Sequence, residues 1–516
     1  MKRRLDVSAI RLGRACRMLY YAQMAIAQTA VDVGGMNRPQ GRLDATTALW
    51  PYEGSLNERS AAHLLRRAGF GGTPDEISRY ASMNVNSAVE QLVRYPQNDA
   101  RPPTDLYSAA STLSQYGPRG LRQLGNMQRR NLNKDIVSNE RGSLLSLQVW
   151  WLNRMLSSPA PLQEKMALYF HGHFTTAAVR KNVSPSMAYN QNELYRQYAL
   201  GNLRELTRNV AKDPAMLRYL DNDRNSVGEP NENFARELME LFTLGVDHYS
   251  EDDVRNSARA WTGWHFDRFT EQGTYEPSLH DNGSKTFLGQ TGNFTGDDIV
   301  NIIFSQPQCA KFFATSLLNQ FVYNDPEPEL VDGLANVIRK NDYNLAPVMS
   351  TLLRSRVFYS DRAYRALVKS PVEFVVGVYK TLGVPQLDGT TLPVLRQSGQ
   401  VLFDPPNVAG WPGGENWINS DTMIARQNFL KRIANSQTLE ASSWLKSIPM
   451  HPTTVAQTLS SGILQGDVAP ASMHQINTYL AGAGTSELAT LTIENYDERV
   501  SGAAYLAMAT PAYQLN

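Results

Sequence analysis

Two histidines flank a glycine in the segment Tyr169-Phe-His-Gly-His-Phe174. An imidazole can move a proton near neutral pH or bind a divalent metal ion. Residues two apart on a helix point to nearly opposite faces, so His171 and His173 could share one ion only where the chain is extended. Gly172 permits such a break. The plainer alternative packs one histidine in the core and leaves the other at a helix end. Further along, Glu232, Arg236 and Glu240 recur at four-residue steps, so the arginine can pair with either carboxylate, and Asn233 and Glu237 form a second column beside them. One reading makes Glu232 or Glu237 an acid/base group or metal ligand, with Arg236 anchoring an anionic or polar group. The other makes the column a solvated or semi-buried ion-pair network tying this helix to its neighbours; the buried form is expected, and Arg236→Ala would then strongly destabilise the fold.

Upstream of that column, Asp221, Asp223, Asn225, Glu229 and Glu232 fall at positions one, three, five, nine and twelve of a calcium-type loop. Position six is Ser226, where such a loop needs glycine, and an Asp/Asn turn capping the next helix accounts for the same residues. His280-Asp-Asn-Gly-Ser-Lys285 could place an imidazole, a carboxylate and an ammonium together, although Asp-Asn-Gly is also ordinary turn chemistry. The loop holding Trp411 and Trp417 suits either a sugar-stacking platform or a rigid plug. The cofactor these residues would take is unassigned, a divalent metal ion being the candidate. No nucleophile elbow, phosphate-binding glycine-lysine loop or dinucleotide fingerprint is present, which argues against serine esterases, P-loop NTPases and Rossmann enzymes.

The elements that must position these groups are helical. From about residue 55 the apolar period is that of helices, with breaks at Gly69-Phe-Gly-Gly72 and Ser157-Ser-Pro-Ala-Pro161. The Gly- and Thr-rich stretch from Phe266 to Gly292 is the best candidate for a small β element, and 96–103 and 404–417 read as long loops. The expected fold is mainly α, a large multi-helix globular domain over 55–516 with a subdivision near 300 left open.

The chain has 516 residues, 42% hydrophobic and 19% charged, with a formal charge of +1. That composition excludes a disordered chain and a whole-protein field for nucleic acid, leaving only a local basic patch open. Cys16 and Cys309 alone cannot build a disulfide framework. No apolar run reaches the length of a membrane span. Basic residues 2–4 followed by the apolar stretch 18–27 and small residues at 25–30 have the order of an export signal, and a basic amphipathic helix is the alternative. Residues 31–50 read as a flexible lead-in, so residues 1–50 stand apart from the helical domain.

Four segments carry a family resemblance: Arg59–Gly71 (RSAAHLLRRAGFG); Tyr169–Phe174; Pro230–Gly245 (PNENFARELMELFTLG) with 249–254 and 260–264; and Pro405–Gly414 (PPNVAGWPGG) with Trp417-Ile418. In this order they resemble the bacterial "domain of unknown function 1800" family from about residue 55 to near the carboxyl end. The resemblance implies export to the periplasm or beyond, the cytoplasm being the alternative, and a neighbour with the phosphatase/sulfatase fold as partner. Two functions follow as expectations. One is a hydrolase or lyase acting on a cell-envelope or extracellular polymer, with His171, His173, Glu232, Arg236 and Glu237 around one cleft, and Trp411, Trp417, His280 and Lys285 binding substrate. The other is a non-catalytic scaffold for the phosphatase-like neighbour.

Overall fold

The computed structural model describes Asp44 and residues 46–95, 101–103, 106–178, 180, 183–434, 442–482, 491–492 and 495–516. The export-signal segment, Cys16 and most of the loop read at 96–103 lie outside the described residues. Cys309 is buried and unpaired, and burial pushes its thiol well above the usual range.

Helices dominate, as the apolar period expects. Helix α1 (Glu58–Arg67) starts at Asn57, whose side chain accepts from the Ser60 amide at 2.9 Å while the Ser60 hydroxyl accepts from the Asn57 amide at 2.9 Å. This reciprocal cap satisfies two amides that a helix start leaves open. α2 (Ala109–Gln123) is kinked at Gly117-Pro118, with Gly117 at φ 62°. α3 (Asn126–Ser157) is the longest helix described. α4 (Pro161–His173) begins on a proline in its first turn. α5 (Glu232–Glu240) is capped by the Asn231 side chain, and α6 (Glu251–Ala260) by Ser250 with Asp253.

The Gly- and Thr-rich stretch forms two antiparallel pairs. β1 (Trp264–Asp267) pairs with β2 (Gln272–Tyr275), Trp264 opposite Tyr275. β3 (Lys285–Phe287) pairs with β4 (Gln290–Gly292), Lys285 opposite Gly292. α7 (Pro307–Phe321) follows, and α8 (Pro371–Leu382) starts on a Ser370/Glu373 capping box and stops at Gly383 in the left-handed region.

One contiguous set of buried side chains runs from Ala48 to Tyr513 and includes residues on both sides of position 300. α4 and α8 are buried on nearly every side, so neither shows a polar stripe. Trp151 of α3 and Phe170 of α4 are fully buried, each burial contributing about 1.5–3 kcal/mol. α2 and the first half of α3 differ from the rest. They form an arm whose side chains are mostly exposed, in a stretch with no apolar period to mark it in the sequence. Among the described residues no helix is long and apolar enough to cross a membrane.

Candidate functional site

A cavity of about 340 Å³ opens where α4, α7, the start of α8 and the 409–417 loop meet. α4 contributes Tyr169, Gly172 and His173, and α7 contributes Ser316, Asn319 and Gln320. Glu373, Gln400, Trp411 and Trp417 complete the wall. The loop reaches α4 because Gly410 has no side chain. Gly410 has φ 83°, and a Cβ there would lie 2.3 Å from the Gly172 carbonyl oxygen. The Trp411 ring packs over Gly172, 3.6 Å from where a Cβ there would be, an ordinary contact distance.

His173 donates from Nε2 to the Phe242 carbonyl at 2.9 Å, which leaves Nδ1 as an acceptor. Tyr169, Phe174, Phe242 and Phe313 surround the ring, and burial pushes its pKa down to about 4. His171 points into the core between Trp151, Phe403 and Trp411. Its Nε2 accepts from the Phe403 amide at 3.0 Å, and burial pushes its pKa down to about 3. Both rings are therefore neutral at physiological pH. His171 holds the chain before the tryptophan loop, and His173 faces the cavity as a hydrogen-bonding group.

Glu373 is the carboxylate among the cavity-lining residues. It pairs with buried Lys165 of α4 and accepts from the Ser370 amide at 2.8 Å. Burial disfavours its charge, but Lys165 and the Ser370 contacts outweigh that, so its carboxyl sits below the usual range. Lys165 also donates to the Gly69 carbonyl at 3.1 Å. Tyr169 donates to Ser316 at 2.8 Å. Two buried polar atoms of lining residues, Trp411 Nε1 and Asn319 Oδ1, have no protein partner. A buried donor and a buried acceptor left unpaired are costly, and both belong to residues of the cavity wall.

The candidate residues divide accordingly. His173, Trp411 and Trp417 line one cavity, with His171 directly behind it. Glu232, Arg236 and Glu237 do not line it. Arg236 pairs with Glu251 of α6 through two 2.7 Å contacts and with Glu232 at 3.3 Å, whereas Glu240 is taken by the Tyr249 hydroxyl. The Arg236 side chain is 34% exposed, so the expectation of a buried column is corrected to a solvent-washed one that ties α5 to α6. Glu237 is raised by partial burial and then by neighbouring Glu240.

The calcium-like loop is built as a turn. Asn225 donates to the Ala258 carbonyl at 2.8 Å and accepts from the Asn231 amide at 2.9 Å. Asp223 pairs with Arg218, and Asp221 accepts through its backbone carbonyl from Asn231 at 3.2 Å. Among the described residues no three of His, Cys, Asp and Glu converge as a ligand set for a metal ion. His280 and Lys285 are buried in the 262–285 turn region. His280 bonds the Thr262 carbonyl at 3.0 Å, and Lys285 holds the carbonyls of Asp281 and Gly283. Neither lines the cavity.

Glu373, Lys165 and the amides of α7 escaped the sequence reading. Ser370-x-x-Glu373 carries a visible signal as a helix-start box, but nothing in it marks the glutamate as a cavity wall. Glu164 and Lys165, adjacent charges ahead of the apolar stretch of α4, are the signal that could have pointed to buried partners.

The four recognisable segments share this region. Tyr169–Phe174 and Pro405–Trp417 form walls, the segment ending at Gly245 supplies the Phe242 carbonyl to His173, and Gly69 of the first holds Lys165. No curated protein and no solved structure matches the chain. The family described as "Protein of unknown function (DUF1800)" matches residues 63–515, and the chain belongs to that family.

Proposed function

We propose that the cavity recognises a polyhydroxylated unit of a cell-envelope or extracellular polymer, the chain acting outside the cytoplasm. The observation that carries this reading is the pairing of two tryptophans with side-chain amides and two unpartnered buried polar atoms, Trp411 Nε1 and Asn319 Oδ1. Tryptophan offers a broad apolar face to a sugar ring, while amides and hydroxyls can meet its hydroxyls in either direction. A sugar unit would bring both a donor and an acceptor to those two atoms. Glu373 is neutralised by Lys165, so binding is better supported than glycoside hydrolysis, which needs a pair of working carboxylates.

Calorimetric titration of the full chain with oligosaccharides from envelope polymers tests the reading. Binding should appear and weaken by about tenfold or more in Asn319→Ala, which leaves the ring surface intact and removes one hydrogen-bonding partner. Failure of every oligosaccharide to bind, with the variant and wild type equally stable, would favour the scaffold alternative.

A further inference from the structure

The arm formed by α2 and the first half of α3 carries charge that the rest of the molecule does not. Over residues 109–145 it has Arg119, Arg122, Arg129, Arg130, Lys134 and Arg141 against Asp135 and Glu140. That is a surplus of four positive charges on a chain whose formal charge is +1. All six basic side chains are exposed, and among the described residues none forms an ion pair with a carboxylate. Arg129 donates instead to the Arg122 carbonyl at 2.7 Å. Glu140 faces inward, where burial and then the Glu271 carboxylate push it up to about 7, so it does little to offset the arm's charge.

The helical period aligns part of this charge. Arg130, Lys134, Val137 and Arg141 follow one another at four, three and four residues, so they lie on one outward face. At 1.5 Å per residue that stripe is about 16 Å long. At its foot Leu145 begins a groove lined also by Val149, Trp150, Pro393 and Arg396. The Trp150 indole is held by the Arg101 carbonyl at 2.8 Å.

We propose that the arm and the groove at its foot dock an acidic polysaccharide chain, its carboxylate or sulfate groups on the arginine–lysine stripe and a ring against Trp150. Choosing a saccharide over other polyanions rests on the reading of the cavity above. It also fits the stripe itself, where Val137 stands between the cations. Surfaces for single-stranded nucleic acid interleave aromatic stacking platforms with their positive charges.

The experiment is affinity electrophoresis of the full chain through polygalacturonate, with uncharged dextran as the blank and duplex DNA as the competing polyanion. The variant Arg130→Gln/Lys134→Gln/Arg141→Gln is compared with a control losing three exposed charges elsewhere, Lys340→Gln/Arg432→Gln/Lys446→Gln. Retardation by polygalacturonate that fades with added salt, falls about tenfold or more in the arm variant and survives in the control supports the proposal. Equal loss in both variants, no retardation by polygalacturonate, or tighter binding of DNA overturns it. Calorimetry with a neutral oligosaccharide reads the cavity separately, so failure of the arm and failure of the cavity reading give different results.

Discussion

At the scale of single residues, buried charge is gathered where helices meet, and one carboxylate faces several cations. Lys165 of α4 and Glu373 of α8 meet in the core, beside the cavity. Lys165→Met removes the ammonium paired directly with Glu373, leaving it only the more distant Arg67, Lys369 and Arg426, and should lower unfolding free energy in urea by about 3 kcal/mol. The double variant Lys165→Met/Glu373→Met should recover little of that loss, because Glu373 also offsets the buried charges of Arg67, Lys369 and Arg426 and caps α8 through the Ser370 amide. Arg236 behaves differently. With a third of its side chain in water, Arg236→Ala should stay within about 1 kcal/mol of wild type. A larger loss would mean that the column tying α5 to α6 is shielded from solvent.

The two histidines make a pH prediction. The folded pKa of His171 lies near 3 and that of His173 near 4, both below the unfolded value of about 6.5. Between those values the unfolded chain binds protons that the folded chain refuses. Stability is therefore highest above about pH 6.5 with respect to these groups and falls as pH drops toward 4. The stability difference between wild type and His171→Gln should accordingly increase with pH from about 3 to 6.5 and then level off. A difference independent of pH would show that the ring titrates normally.

At the scale of elements, the loop carrying Trp411 is set against α4 by the close approach of Gly410 to the Gly172 carbonyl. Gly410→Ala combines a left-handed φ with a backbone clash, so it should cost at least about 1–2 kcal/mol and displace the indole from the cavity. Both the melting temperature and oligosaccharide affinity should drop. Unchanged affinity would place the binding surface elsewhere.

Much of this architecture was legible in the sequence. The breaks read at Gly69–Gly72 and Ser157–Pro161 fall at helix ends: α1 stops at Arg67, α3 stops at Ser157, and α4 starts at Pro161. The two small β pairs fell within the stretch set apart by its glycines and threonines. The arm was not legible, because a helix that faces water on most sides has no apolar period to detect. The same limit explains the candidate site. Four-residue spacing correctly put Glu232 and Arg236 side by side, but Glu251 belongs to another helix, and only packing brings it to the arginine. The tryptophan loop and His173 were visible as unusual residues, whereas Asn319 and Gln320 of α7 become notable only when their helix turns them toward the loop.

At the scale of the whole molecule, four segments far apart in the chain close around one cavity. α4 provides the inner wall, α7 the amides, α8 the buried carboxylate and the 409–417 loop the indoles. Phe242 and Gly69 brace the wall from behind through His173 and Lys165. The basic arm stands on the same scaffold through α3, whose inner half packs beside α4 and α8. A mainly helical protein thus joins a polar, tryptophan-bearing cavity to an exposed cationic surface. The central claim is that the cavity, and not some other surface, takes the polymer unit. It is tested most directly by following the indole N–H resonances of the 8 tryptophans during oligosaccharide titration, with Trp411→Phe assigning its signal. The account predicts that the Trp411 resonance moves as its unpartnered Nε1 gains an acceptor. Saccharide binding that leaves the Trp411 signal in place while another indole shifts would contradict it.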